Sequence, residues 1–187
     1  MQVVATDASE QQIESAEESD NIEYRVARAE DSGLSDRSID LITVAQALHW
    51  FDIEAFFAEA GRVLKPGGVL AFWCYQNCVV DDHVDPVVLE IFAEVEDYWP
   101  PEREIVEDEY PTIVIPFNEL EIGNFCIVAD WSANQLLDYM RTWSAAQRYK
   151  AENGLDPIDR HADALRTAWG ARPREVRWPI VLRVGRK

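Results

Sequence analysis

The sequence has few basic residues and no long apolar run. Its 187 residues include 17 Lys and Arg against 35 Asp and Glu, which gives a formal net charge of −18. Binding to a nucleic acid requires a basic face, so this balance argues against nucleic acid as a partner. No apolar run reaches membrane-spanning length and the acidic N-terminus is unlike a signal peptide, so we expect a soluble cytoplasmic protein with no membrane partner.

Cysteine is also scarce, and metal-binding spacings are lacking. Cys74, Cys78 and Cys126 form an odd set without the spacing of a disulfide framework, so we expect reduced thiols. Cys74 and Cys78 alone are too few for a zinc site. The stretch "DDHVD" at residues 81–85 mixes one His with acids but has no recognised metal spacing, which favours a solvated acidic loop.

Short apolar runs alternate with helical patterns in the first 75 residues. The run "DLITVA" at residues 40–45 is almost continuously apolar, which is typical of a strand buried on both faces of a parallel sheet. Strand–helix–strand repeats of this kind imply a right-handed, doubly wound α/β sheet. We predict strands over residues 3–5, 21–26, 40–45 and 69–75, and helices over residues 9–19 and about 53–64.

Polar residues and prolines mark the ends of these two helices. Ser9 and Gln12 have the spacing of a capping box at the start of the first helix. Asp52 is placed to cap the second helix. "KPGG" at residues 65–68 predicts its end, because Pro66 cannot continue a helix and glycine permits the turn.

The second half has a different pattern. An acidic, irregular stretch over residues 76–112 contains one predicted helix near 87–98, and a strand is predicted within 123–131. Ser132 and Gln135 form a second capping-box spacing, predicting one helix to about residue 149. The last helix is predicted to begin at Asp156 and end at Gly170, and the final strand alternates; Pro179 favours an edge position for that strand.

Two motifs resemble a known family. "LHWF" at residues 48–51 and "RVLKPGG" at 62–68 resemble the class I S-adenosylmethionine-dependent methyltransferases, especially the small-molecule branch that includes trans-aconitate-type enzymes. The stretches "ADWSANQLLDYMRTWSAAQRY" and "VRWPIVLRVGRK" also look like this branch. The resemblance therefore covers nearly the whole chain, starting at what would be the family's second strand.

The resemblance implies a fold and a domain organisation. It implies a Rossmann-like, doubly wound and mostly parallel sheet with an antiparallel edge strand, in one domain over residues 1–187. Residues 1–75 would form the cofactor side and residues 76–187 the substrate side. The family's first strand and glycine-rich loop would lie before Met1, so we expect an N-terminally truncated chain. Either the strands at residues 3–5 and 41–45, which would flank the missing strand, close up on each other, or the chain is a fragment of a longer reading frame.

Asp7 is the first candidate ligand residue. By resemblance, its carboxylate would accept hydrogen bonds from both ribose hydroxyls of S-adenosylmethionine. An acid at the tip of the second strand has this role in nucleotide-binding sheets generally. The alternative interpretation is a turn residue at the end of a strand.

The loop at residues 27–34 is the second candidate. By resemblance, the backbone of Ala29 and Glu30 would border the adenine ring, and Gln46 would lie near the methionine part of the cofactor. Many relatives have an acid where this chain has Arg28, and this departure weakens any side-chain assignment there. The alternative is a polar surface loop.

His49 and its neighbours follow a buried strand, where ligands bind in open α/β sheets. His49 is the candidate catalytic residue, either as a general base for a hydroxyl or as a group that orients a substrate carboxylate. It is equally compatible with packing against Trp50. A carboxylate acceptor is already ionised and requires alignment rather than a base, so no catalytic triad is expected.

Aromatic residues and one arginine are the candidate substrate contacts. Trp50, Trp73 and Tyr75 would line a small apolar pocket, and Arg148 would bind a carboxylate bidentately. Taken singly, each Trp is equally compatible with a place in the apolar core, and Arg148 with a place on the surface.

Three functions follow from these features. The leading prediction is S-adenosylmethionine-dependent methyl transfer to a small molecule, with carboxylic acids as one candidate acceptor class. The second is a truncated or degenerate homologue without activity. The third is a nicotinamide-dependent oxidoreductase, since Asp7 would suit its ribose too, but the two family motifs count against it.

Overall fold

The computed structural model describes residues 2–100 and 113–187, which alternate strands and helices. The strands are β1 (Val3–Asp7), β2 (Ile22–Val26), β3 (Ile39–Ala45), β4 (Leu64–Tyr75), β5 (Asn118–Glu119), β6 (Phe125–Trp131) and β7 (Arg174–Arg186). The helices are α1 (Glu10–Glu14), α2 (Ile53–Val63), α3 (Asp85–Glu94), α4 (Ala133–Arg141), α5 (Ser144–Asn153) and α6 (Ala162–Trp169). Short 3₁₀ turns lie at Leu48–Trp50, Glu96–Tyr98 and Pro157–Arg160.

The described residues form two compact units. The first contains residues 2–74, 113–123 and 182–187, and the second contains 75–100 and 124–181. None of the helices in the described residues is long and apolar enough to cross a membrane.

Parallel strand pairs organise the first unit. β1 pairs with β2 in parallel, with Asp7 opposite Val26, and β3 pairs with β4 in parallel, with Ala45 opposite Trp73. β4 also neighbours β7, whose C-terminal end pairs antiparallel with β5. The predicted α/β fold is confirmed, with a mixed sheet: β3 and β4 pair in parallel, whereas β5 and β6 pair antiparallel with β7. The parallel pair β1–β2 forms a separate ladder in the described residues.

Burial of β3 differs from the prediction. Leu41 is 50% exposed and Val44 is the buried residue of the strand, so the expectation of burial on both faces is wrong. The physical reason is the strand's position: within the described residues β3 has a hydrogen-bonded neighbour, β4, on one side only. Apolar side chains near such an edge keep part of their surface in water.

Helix α1 is shorter than predicted. Its Ser9 Oγ accepts the Gln12 N–H at 3.4 Å, which is half of a capping box, and the helix ends after Glu14. It buries no residue, and the acids Glu17 and Glu18 that follow are unfavourable near the negative end of a helix dipole. Without a buried face, nothing offsets the cost of extending the helix.

Helix α2 forms as predicted and anchors the first unit. The Asp52 carboxylate caps it by accepting the Ala55 N–H at 3.1 Å. Its apolar face is buried, and the residues of that face are Phe56, Phe57, Ala60 and Val63. The helix ends at Val63, with Leu64 as its C-cap, just before the predicted stop signal at residues 65–68.

The "KPGG" motif forms a bulge rather than a free turn. Ile39 pairs with Leu64 and Leu41 pairs with Val69, so residues 65–68 bulge out of the β4 ladder. Gly67 has φ +79°, which favours glycine, and a Cβ on Gly68 would meet the Lys65 carbonyl oxygen at 2.9 Å. Both glycines are therefore required by the local geometry.

An aromatic-rich core organises the second unit. The capping box is complete, since Ser132 Oγ accepts the Gln135 N–H at 3.4 Å and the Gln135 side chain accepts the Ser132 N–H at 2.9 Å. The predicted single helix to residue 149 is wrong, because α4 and α5 are separated at Thr142. Thr142 Oγ1 donates to the Tyr139 carbonyl at 2.6 Å, a local bond that competes with continued helix.

The end of the chain corrects two predictions and agrees with a third. β7 lies between β4 on one side and β5 and β6 on the other, so the edge position predicted from Pro179 is wrong. Proline removes one donor only, and the Pro179 carbonyl still accepts the Gln76 N–H at 3.0 Å. Asp156 caps a 3₁₀ turn at Pro157–Arg160 rather than the last helix, which begins only at Ala162. Gly170, with φ +75°, ends α6 as predicted.

Thiols and acidic clusters are the remaining sequence features. Cys74 and Cys78 are buried, whereas Cys126 is exposed. Asp81 caps its own loop by accepting the N–H groups of His83 and Val84, and it pairs with Arg174. Within the described residues, no three or more His, Cys, Asp or Glu side chains are arranged to hold a metal ion.

Candidate functional site

Asp7 lies at the point where β1 and β2 end together. The Ala27 N–H donates to the Asp7 carbonyl at 3.0 Å, so the loop after β2 begins beside Asp7. The exposed Asp7 carboxylate accepts the Ser9 N–H at 2.7 Å. A carboxylate has about four acceptor sites, so this bond leaves capacity for hydroxyl donors of a ligand. The turn role and a ligand role are thus compatible in one residue.

The loop over residues 27–34 is folded on itself. The Asp31 N–H donates to the Arg28 carbonyl at 3.2 Å, which places Ala29 and Glu30 at the tip of a turn. Both tip residues are half-buried. Ala29, Glu30 and Asp7, three of the predicted cofactor residues, therefore lie along adjacent strand ends in the first unit.

The Glu30 side chain has a structural partner. Its Oε1 accepts the Asp52 N–H at 2.9 Å, and Arg28 Nε donates to its other oxygen at 3.3 Å. Burial alone would raise the pKa of Glu30, but the backbone N–H donors and Arg28 outweigh it and hold that pKa below its usual range. The Glu30 carboxylate therefore links the loop after β2 to Asp52, the N-cap residue of α2.

Glu59 is a buried acid that sequence reasoning missed. It is 9% exposed, and its Oε1 accepts both the Ser32 N–H at 3.0 Å and the Ser32 hydroxyl at 2.5 Å. Two Arg62 nitrogens donate to it at 2.8 Å each. The Arg62 bonds, helped by those from Ser32, lower the pKa of Glu59 to about 2 in spite of burial. The available signal was an acid within the apolar face of α2, three residues before an arginine.

Gln46 follows β3 in an uncommon backbone conformation. Its φ is +51°, which few residues other than glycine adopt, and its N–H donates to the Trp73 carbonyl at 2.9 Å. Gln46 and Trp73 are both half-buried and lie at the carboxyl ends of adjacent parallel strands. Such outliers cluster at ligand sites, which makes this corner a candidate part of the site.

His49 and Trp50 lie on the 3₁₀ turn after Gln46. Their rings are 4.9 Å apart at 48°, so the packing that the sequence left open as an alternative is present. Buried Leu48 anchors the turn, His49 is half-buried and Trp50 is 57% exposed. A catalytic role for His49 and a substrate role for Trp50 stay predictions.

Two predicted substrate residues belong to the second unit. Arg148 is exposed on α5, and Tyr75 packs, half-buried, against the aromatic core. In that core Tyr139 lies between Trp131, Trp143 and Trp178. Burial, with a smaller contribution from nearby Tyr75, raises the pKa of Tyr139 to about 12, so its hydroxyl stays protonated at neutral pH.

The first unit offers groups suited to a nucleoside. A carboxylate at a strand end accepts hydrogen bonds from vicinal hydroxyls, and a braced loop beside it presents backbone to a flat base. Ligands of open α/β sheets bind at this edge, beyond the carboxyl ends of the strands. The described residues therefore fit the adenosine part of S-adenosylmethionine chemically.

Comparisons with known proteins agree with this geometry. The methyltransferase domain family matches residues 1–72. A Dictyostelium discoideum protein, named as a proposed methyltransferase, is 33% identical over 171 residues, covering 89% of this chain and 65% of its own length. A Saccharomyces cerevisiae protein, named as a proposed S-adenosylmethionine-dependent methyltransferase, is 30% identical over 82 residues, covering 40% of this chain and 28% of its own. The chain thus spans less than two thirds of these two curated relatives.

A solved structure matches this chain over nearly its whole length. It is a proposed type II methyltransferase from Anaeromyxobacter dehalogenans, 43% identical to this chain, with a TM-score of 0.92. The match covers 99% of this chain and 80% of the other. Identity at this level over most of both chains establishes shared ancestry as well as a shared fold. The chain belongs to the class I S-adenosylmethionine-dependent methyltransferases.

Proposed function

We propose that this chain binds S-adenosylmethionine through its first unit and transfers a methyl group to a small molecule, with carboxylic acids as the acceptor class. The observation that carries the proposal is the position of Asp7. This acid ends β1 beside the first residue of the 27–34 loop, through the bond from Ala27 N–H to the Asp7 carbonyl. Family membership supports the same reading.

Four residues are proposed to hold the cofactor. Asp7 would accept hydrogen bonds from the ribose hydroxyls, and the backbone of Ala29 and Glu30 would border the adenine. Gln46, with its positive φ, would lie by the methionine part. A charged acceptor makes hydrogen bonds worth about 1.5–3 kcal/mol each. Of the four residues, Asp7 is therefore expected to make the largest contribution to the free energy of cofactor binding.

The proposed chemistry divides between cofactor and protein. When bound, S-adenosylmethionine supplies a methyl group on a positively charged sulfur. Because a carboxylate acceptor is already ionised, the protein's contribution is alignment and exclusion of water. His49 would orient such an acceptor through a ring nitrogen, whereas a hydroxyl acceptor would require His49 as a base.

Aromatic side chains and one arginine are proposed to contact the methyl acceptor. Trp50 and Trp73 would offer apolar surface, and Tyr75 an aromatic contact. Arg148 would pair with the acceptor carboxylate, since a guanidinium binds that group bidentately. Substitution of Arg148 by Ala should raise the KM for an acid acceptor and leave the affinity for S-adenosylhomocysteine unchanged.

The direct test is calorimetric titration of S-adenosylhomocysteine. We expect the chain to bind it, and Asp7→Asn to weaken binding at least about tenfold, because the substitution removes a charged acceptor. Asp138→Asn is the matched control, since it neutralises an exposed acid on α4 and should bind like the wild type. Absence of binding by the wild-type chain would contradict the proposal and favour a degenerate homologue.

A pH profile separates the two roles of His49. Methyl transfer to a carboxylic acid, followed as methyl-ester formation, should not require a deprotonated imidazole. A hydroxyl acceptor should instead show a rate that falls as pH drops through the imidazole range, with His49→Gln abolishing that dependence. If methyl-ester formation on a carboxylic acid slows over the same pH range, the orienting role of His49 is contradicted.

A further inference from the structure

Two carboxylates hold the 27–34 loop: Glu30 from its own tip and Glu59 from α2, outside the loop. Glu30 ties its tip to the Asp52 N–H, and Glu59 on α2 ties its second half through Ser32. Glu59 stands 27 residues from Ser32 in sequence, so this bond joins separate elements of the first unit. The Ser32 hydroxyl also accepts the Leu34 N–H at 3.3 Å, which carries the restraint to the end of the loop.

Glu59 is itself held in one orientation. Arg62 donates from Nε to one carboxylate oxygen and from Nη2 to the other, both at 2.8 Å. Asp36 in turn accepts from Arg62 Nη1 at 2.6 Å. The charged and nearly buried Glu59 is matched by these donors, so its contacts to Ser32 have a fixed direction.

We propose that Glu59 is a positioning residue for the cofactor: through Ser32 it fixes the loop at residues 27–34 in the shape that receives the adenine ring. This inference rests on the proposed function. Glu59 does not contact the ligand in this scheme. Because Glu59 holds the loop in place before the ligand binds, binding does not have to order the loop and loses less conformational entropy. Pre-organisation of this kind raises affinity.

The test uses substitutions that differ by single groups. Glu59→Gln should raise the Kd for S-adenosylhomocysteine about tenfold in calorimetry, with the stoichiometry unchanged. Glu54→Gln removes the same charge from an exposed position of the same helix and should bind like the wild type. A fall in stoichiometry without a change in Kd would mean that Glu59→Gln merely unfolds part of the sample, and would overturn the inference.

Ser32 offers a second, isosteric pair. Ser32→Thr and Ser32→Val add similar bulk at this buried position, but only threonine retains the hydroxyl. We expect Ser32→Thr to bind S-adenosylhomocysteine several-fold more tightly than Ser32→Val, because the bond from the hydroxyl to Glu59 persists. Equal affinities of the two variants would overturn the role assigned to Ser32.

A measurement without ligand separates this inference from the proposed function. In the ligand-free protein, backbone amides of residues 29–34 should exchange hydrogen faster in Glu59→Gln than in Glu54→Gln. Unchanged exchange there would overturn the inference. If the wild type binds S-adenosylhomocysteine and Glu59→Gln binds it equally well, only the inference fails. If the wild type does not bind, the proposed function fails and the inference fails with it.

Discussion

The two compact units are stabilised by different means. In the second unit, apolar side chains from α3, α4 and α6 are completely buried around an aromatic cluster, as Leu136, Ile91 and Trp169 show. In the first unit the parallel strands β1 and β3 are largely half-exposed, and polar links such as Glu59–Ser32 connect its elements. The proposed cofactor residue Asp7 and the turn after β3 therefore lie at the ends of strands with little apolar burial.

Glu94 of the second unit and Glu59 of the first are both partly or fully buried carboxylates, and they differ in what they bind. Glu94 binds side chains only: Arg160 at 2.6 Å, His161 at 2.8 Å and Tyr149 at 3.3 Å. Glu59 binds a backbone N–H of a loop as well as side chains. A carboxylate that holds backbone fixes the path of a loop, and this is what a ligand-binding edge requires.

The largest expected effect on the free energy of unfolding comes from truncating one leucine in each unit. Leu136→Ala removes a completely buried side chain and should cost about 3 kcal/mol of unfolding free energy. Leu41→Ala removes a side chain that is 50% exposed and should cost less than about 1 kcal/mol. Urea unfolding followed by tryptophan fluorescence measures both. Equal costs would contradict the difference in packing.

Acid should weaken the first unit through Glu59. Because the folded pKa of about 2 lies below the ordinary value of 4.5, the stabilisation is present above about pH 4.5 and is lost as pH falls towards 2. The loss is on the order of 2 kcal/mol. Urea titrations across this range should show a smaller decline for Glu59→Gln than for Glu54→Gln. Identical declines would contradict the account.

Helix caps should have equal effects in the two units. Asp52→Ala removes the cap of α2, and Ser132→Ala removes the cap of α4. Each substitution should lower the free energy of unfolding by about 1 kcal/mol. Circular dichroism during urea unfolding gives both values. A much larger cost for Asp52→Ala would show that its backbone bond to Glu30 depends on the cap.

Thiol labelling compares the two units without mutation. Exposed Cys126 should react with a disulfide reagent at once. Cys74 of the first unit and Cys78 of the second should both react much more slowly, because both are buried and react only as their unit opens; burial also raises the pKa of Cys78 to about 12. Labelling of Cys78 first would indicate that the second unit opens more readily than the first.

Local chemistry predicted most elements correctly and some lengths incorrectly. The capping acid Asp52, the Ser132–Gln135 box and the "KPGG" stop were readable because each acts within four residues along the chain. The burial of β3 and the position of Pro179 depend on which strands lie beside them, and no local pattern encodes that. The division of α4 from α5 depends on one side-chain bond of Thr142 that helical periodicity does not reveal.

The candidate site was readable to a similar degree. The positions of Asp7, Ala29 and Gln46 at strand ends follow from the order of strands and loops. The positive φ of Gln46 and the bond from Glu59 to Ser32 arise from tertiary packing, so sequence reasoning could not locate them. For Glu59 a hint existed, namely a charge on an otherwise apolar helix face.

Hydrogen exchange with and without S-adenosylhomocysteine tests the central claim most directly. The account predicts that ligand raises amide protection at residues 7–9 and 27–34 of the first unit, and leaves the buried amides of α4 and α6 unchanged. Protection confined to α4 and α6, or no change anywhere at saturating ligand, would contradict the assignment of the cofactor site to Asp7 and its adjacent loop.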